Sequence, residues 1–108
     1  MSNKTKKLYK FGEFRLDSKD RILFRGDETI ILPAKVFDTL LMLVEQDGTI
    51  VSKDDLMKSI WADSFVEEGN LTQNIYLLRQ AIGKDAIETV PRRGYRFAMS
   101  AKEIVLDD

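Results

Sequence analysis

The residues best suited to chemistry lie between positions 71 and 99. Leu71, Ile75, Leu78 and Ile82 recur at offsets that place four apolar side chains on one face of a helix spanning 71–82. At about 100° per residue, the opposite face carries Thr72, Gln73, Tyr76, Leu77 and Gln80. Residues 86–90 and 95–99 then read as two strands around the turn Pro91-Arg92-Arg93-Gly94. Amide, hydroxyl and aromatic groups beside a cationic turn suit the base edges and phosphates of a duplex groove.

Each of these residues has a competing reading. Gln73 follows Asn70 by three, so its amide can close a capping box onto the backbone, or bond adenine N6 and N7 together. Tyr76 and Leu77 are either a partly exposed pair, open to a neighbouring subunit, or contacts to thymine methyls and sugar edges. Thr72 and Asn74 lie near the helix start, where exposed N–H groups and the dipole favour a phosphate. Arg79, on the helix flank, reads equally as a phosphate ligand or as half of an intramolecular ion pair. Arg92 and Arg93 are a solvated turn or a nucleic-acid contact, and their place after a polar-faced helix favours contact.

Composition closes several other routes. The chain of 108 residues has no His and no Cys, which removes the commonest general base, the commonest metal ligand and any disulfide. Asp54-Asp55 and Glu67-Glu68 are the only paired carboxylates worth testing as acid/base or metal sites. The first pair sits in the opening turn of a helix, where acids are favoured electrostatically; the second reads as loop. With no nucleophile–base pair and no glycine-rich phosphate loop, we expect no enzyme, no cofactor, no bound metal and no small-molecule substrate. The net charge of −1 conceals segregation: residues 45–69 hold seven acids against two bases, whereas 70–99 hold five bases against two acids. A duplex senses the local field within a Debye length of about 8 Å, so an acidic middle segment can face away from a basic surface. No apolar run approaches the roughly 20 residues of a membrane span, and a cytoplasmic domain is expected, though a longer parent protein could be membrane-anchored.

The elements that must hold these groups are short. Residues 8–11, 14–17, 21–25 and 29–32 read as four strands, with Gly12-Glu13 and Gly26-Asp27 as turns. Pro33 ends the fourth strand and opens a helix carrying Val36, Phe37, Leu40, Leu41 and Val44. Ile50-Val51 suits an edge strand. Ser52 caps a second helix in a Ser-x-x-Asp pattern with Asp55. Residues 62–69 read as a loop, Asn70 as the third helix's N-cap and Gly83 as its stop. One domain over 8–99 is expected, with 1–7 and 100–108 as flexible ends.

Two helices and a strand–turn–strand in this order are the layout of a winged helix-turn-helix. Leu32-Pro33-Ala34-Lys35-Val36-Phe37-Asp38-Thr39-Leu40-Leu41 resembles the first helix of OmpR/PhoB-type winged-helix effector domains. Val51-Ser52-Lys53-Asp54-Asp55-Leu56-Met57, Ile60-Trp61 and Leu78-Arg79-Gln80-Ala81-Ile82-Gly83 resemble later segments of the same family. So does Glu88-Thr89-Val90-Pro91-Arg92-Arg93-Gly94-Tyr95-Arg96-Phe97, whose Val-Pro-Arg-Arg-Gly-Tyr is similar to the CadC/ToxR-like branch. The resemblance implies an α+β fold: a four-stranded N-terminal antiparallel sheet, three helices and a C-terminal hairpin wing. It implies a sequence-specific regulator of transcription, with helix 71–82 in the major groove of double-stranded DNA and wing 91–94 at the minor groove. Head-to-tail pairing on tandem half-sites is a further implication. The loop with Phe65, Val66, Glu67 and Glu68 would meet RNA polymerase, unless Phe65 and Val66 merely close the base of the core. Two departures stand out: Arg79 is the only cation of the recognition helix, and about seven residues precede the first strand, too few for a receiver domain. The alternative is a winged helix serving protein–protein contact without DNA readout.

Overall fold

Phe14-Arg15-Leu16-Asp17 alternates apolar and charged side chains, and a period of two is what a sheet with one buried face requires. The structure, a computed structural model, describes residues 6–106. Strands β1 (Lys6–Phe11), β2 (Phe14–Asp17), β3 (Ile22–Arg25) and β4 (Glu28–Ile30) form consecutive antiparallel pairs. The registers Tyr9↔Leu16, Leu16↔Leu23 and Leu23↔Ile30 align an apolar row across four strands on the inner face. Asp17 is nearly fully buried, and this is tolerated because Lys6 lies 2.9 Å away and the Lys19 and Asp20 amides donate to its Oδ1. Burial alone would raise its pKa, but those hydrogen bonds and the Lys6 charge outweigh it and hold the carboxyl below its usual range.

Helix α1 (Ala34–Glu45) starts directly after Pro33, whose fixed φ of −57° and missing N–H suit a helix entrance. It buries Val36, Phe37, Leu40, Leu43 and Val44. Helix α2 (Lys53–Ile60) begins where expected: Ser52 Oγ accepts the Asp55 amide at 3.0 Å, and Leu56 and Ile60 point inward. Helix α3 (Glu68–Ile82) buries Leu71, Ile75, Leu78 and Ile82, the four residues of the apolar stripe. Strands β5 (Ile87–Val90) and β6 (Gly94–Phe97) form the C-terminal hairpin, and Phe97 meets Phe11 edge-on at 5.0 Å, joining the hairpin to the sheet. Val51 makes a single bridge to Tyr95 rather than a strand.

One expectation fails at the C-terminus. Residues 100–108 are not simply an end, because β7 (Lys102–Leu106) pairs antiparallel with β1, with Leu8 opposite Ile104. The sheet therefore has five strands in the order β4-β3-β2-β1-β7. Ile104-Val105-Leu106 has strand propensity, but its partner lies almost the whole chain away, beyond any local pattern. At the other end Lys6 and Lys7 belong to β1; residues 1–5 and 107–108 lie outside the described residues. Three helices, an N-terminal antiparallel sheet and a terminal hairpin make this an α+β winged helix.

Candidate nucleic-acid interface

Anchoring comes first, because a readout surface must not rock. The α3 stripe is fully buried against α1 and α2, and polar contacts reinforce it. Asn74 Nδ2 donates to the Lys35 carbonyl and to Thr39 Oγ1, both at 3.2 Å, while Thr39 Oγ1 donates to the same carbonyl at 2.8 Å. The Lys35 ammonium in turn caps the end of α2 at Ile60 O, at 2.8 Å. Three helices are thus tied through Lys35 and its neighbours.

This overturns the phosphate role expected of Asn74, which is only 7% exposed and satisfied internally. A helical wheel explains the miss: Asn74 lies about 70° from the centre of the apolar stripe, on a shoulder that α1 covers. Arg79 sits on the other shoulder and is also engaged. Its Nε and Nη2 both donate to Ile87 O, at 3.1 and 2.7 Å, and Nη2 reaches Thr89 Oγ1 at 2.9 Å. Among the described residues it has no ion-pair partner, and it is not extended towards solvent. Leu77 is half-buried at the edge of the core instead of pointing clear of it.

Thr72, Gln73, Tyr76 and Gln80 remain exposed, with Tyr76 at 56%. The capping alternative for Gln73 falls, because α3 starts at Glu68 with Glu67 in the N-cap position and no side-chain cap. Asn70 lies inside the first turn, its Nδ2 donating back to Glu67 O at 3.1 Å. Glu68 explains the early start: an acid in the first turn is favoured by the helix dipole, and Lys53 Nζ sits 2.9 Å from its carboxylate. That carboxylate raises the Lys53 pKa. Glu67 and Glu68 are thus helix-start residues, the second with a lysine partner, and not an unpaired loop pair. Phe65 does not close the core; it is fully exposed, beside an open groove with Met57, Trp61 and Val66.

The wing presents Pro91, Arg92 and Arg93 to solvent. Arg93 N donates to Val90 O at 2.9 Å, and proline followed by a residue at φ +68° (Arg92) meets the demands of a type II turn. Gly94 is required on packing grounds: a Cβ there would stand 2.0 Å from Val51 O. That close approach lets Val51 and Tyr95 exchange backbone hydrogen bonds of 2.8 and 3.0 Å, seating β6 beside the entrance to α2. Arg96 alternates away from buried Tyr95 and Phe97 and pairs with Glu88 across the hairpin, whereas Arg92 and Arg93 have no ion-pair partner among the described residues. Among the described residues no cluster of His, Cys, Asp or Glu is placed to hold a metal ion.

The same arrangement recurs in known proteins. Residues 27–97 match the family described as transcriptional regulatory protein, C terminal. The transcriptional regulator HilA of Salmonella typhimurium is 38% identical over 95 residues, which is 84% of this chain and 17% of HilA. The chain thus spans about a sixth of that relative's length. The DNA-binding domain of Escherichia coli CadC superposes with a TM-score of 0.79, covering 94% of this chain and 98% of that one; at 23% identity it speaks for the fold alone. The Klebsiella pneumoniae RstA DNA-binding domain in complex with RstA box gives 0.71 at 28% identity, over 84% of this chain and 96% of that one. With a family match over most of its length and this architecture, the chain belongs to the C-terminal domains of transcriptional regulatory proteins, the OmpR/PhoB-type winged helices.

Proposed function

We propose that the domain binds double-stranded DNA sequence-specifically to regulate transcription, with α3 in the major groove and the wing at the adjacent minor groove or its phosphates. One observation carries the reading. Thr72, Gln73, Tyr76 and Gln80 stand exposed on one face of a core-anchored helix, next to a turn presenting Arg92 and Arg93. Gln73 and Tyr76 are assigned to base edges, the rim of Leu77 to a thymine methyl, Thr72 to a phosphate, and the wing arginines to the minor groove or backbone. The RstA complex with its box supports this reading by similarity.

Gln73→Ala and Tyr76→Ala, each used to select sites from a random duplex library, are expected to change the preferred sequence. A lost bidentate base contact costs about 1–3 kcal/mol at the wild-type site and leaves non-specific affinity nearly untouched. Selection of the same site with equal affinity by both variants would place base readout elsewhere.

A second reading, a protein-contact module without DNA readout, is favoured by the engagement of Arg79, the lone cation of α3, with β5. Salt titration separates the two, because neutralising phosphates makes affinity fall steeply with salt. Two further assignments rest on family resemblance: RNA polymerase as the partner of the loop before α3, and two copies head to tail on tandem half-sites. Exposed Phe65 and its groove add weight to the first. The cytoplasm is the proposed compartment; no helix among the described residues is long and apolar enough to cross a membrane. No reaction, cofactor or small-molecule substrate is proposed.

A further inference from the structure

Arg79 is the only positively charged residue of α3, and its guanidinium lies on the edge of the wing. The carbonyl it binds is available for a definite reason. Ala98 N donates to Ala86 O at 2.8 Å, so residues 86, 88 and 90 turn their backbone groups towards β6, and 87 and 89 turn theirs to the open edge of β5. Two N–H groups of one rigid fork converge on Ile87 O, and one of them also reaches Thr89 Oγ1. Such charge-assisted bonds from a preorganised planar group are strong and directional.

A hairpin of two strands is marginal alone, so its pose depends on what grips its outer edges. Val51 holds the β6 side through paired backbone bonds. On the β5 side, Arg79 supplies the hydrogen bonds from α3 found among the described residues. We infer that Arg79 is a positioning residue, fixing the wing against α3 and so setting the spacing at which Arg92 and Arg93 meet a duplex that holds α3 in its groove. The inference rests on the DNA-binding reading. It matters more here than in a helix rich in arginine, because α3 keeps no second cation to anchor phosphate and the wing must supply that charge.

The test compares wild type, Arg79→Gln, Arg92→Ala with Arg93→Ala, and the variant carrying all three changes. The probes are a duplex selected by wild type from a random library and a mixed-sequence duplex, each titrated with salt. Arg79→Gln and the wing variant should lose the same affinity to within about twofold, the usual margin of additivity. Both should flatten the log–log salt slope equally, by up to about 2. The triple variant should lose no more than either parent, since the contacts released by one change are those removed by the other. Losses that multiply, with a slope lower by about one more, would mean that Arg79 itself binds a phosphate and would overturn the inference. Wild-type affinity in Arg79→Gln would overturn it equally.

Amide exchange of the free proteins supplies an arm independent of DNA. Arg79→Gln should exchange faster only within residues 87–97, with α1 and α3 protected as in wild type. Uniformly faster exchange would reduce Arg79 to general structural support and overturn its positioning role. If wild type binds neither duplex, the DNA reading fails, and the exchange pattern still decides whether Arg79 holds the wing.

Discussion

Arg92 sits at φ +68°, a left-handed conformation that costs a residue with a Cβ about 1–2 kcal/mol and that glycine adopts freely. A type II turn asks for glycine at this third position, yet the chain places an exposed cation there. Backbone strain kept at an exposed position points to a use for the side chain. Arg92→Gly should therefore be more stable than Arg92→Ala by about 1 kcal/mol, because only glycine relieves the strain. Both should lose DNA affinity alike, since both remove the charge. Thermal melting and gel shifts on the same preparations check this. Equal melting of the two variants would show no strain at Arg92, and full affinity in Arg92→Gly would show that the arginine is not a contact. Gly94 is the converse case: Val51 O occupies the space a side chain would need, so glycine there is a packing necessity.

At the scale of elements, α3 shows how a helical wheel informs and where it stops. Its stripe of Leu71, Ile75, Leu78 and Ile82 and its outward face of Gln73, Tyr76 and Gln80 were legible from spacing alone. The shoulders were not, because whether Asn74 and Arg79 meet solvent depends on where α1 and β5 lie, and that is tertiary information. The start of α3 was misplaced for a related reason: Glu68 is secured by Lys53 from another helix, which no local cap signal reports. The Ser52 cap, the Pro33 helix entrance and the wing turn were readable, since each depends on residues within four positions. The loop before α3 gives this scale its prediction. Glu67→Lys with Glu68→Lys removes acids from a helix start and the partner of Lys53, so melting should fall modestly without loss of fold. If the loop meets polymerase, DNA binding will not weaken and activated transcription in a reconstituted assay will be lost. Normal activation would sink that contact, and loss of DNA binding would place the loop on the duplex side.

Across the whole molecule, the two ends of the described chain meet: β7 lies beside β1 and forms one edge of the sheet. The family match spans residues 27–97, so β7, like β1, β2 and β3, lies outside the part the family model covers. Its side chains are mostly exposed, Val105 at 53% and Leu106 at 45%, so burial contributes little to holding it. Ordering a residue costs about 1–2 kcal/mol, and each ladder hydrogen bond returns about 1 kcal/mol, which leaves the strand close to balance. Truncation after Ala101 should therefore preserve the fold and DNA affinity, lowering stability by less than about 2 kcal/mol. What changes is β1, whose outer backbone groups lose their partners along Lys6–Lys10. Amide exchange should rise there while β2, α1 and α3 stay protected. An unfolded truncation product would show that β7 belongs to the cooperative core, and unchanged exchange in β1 would show that the pairing contributes nothing to its protection.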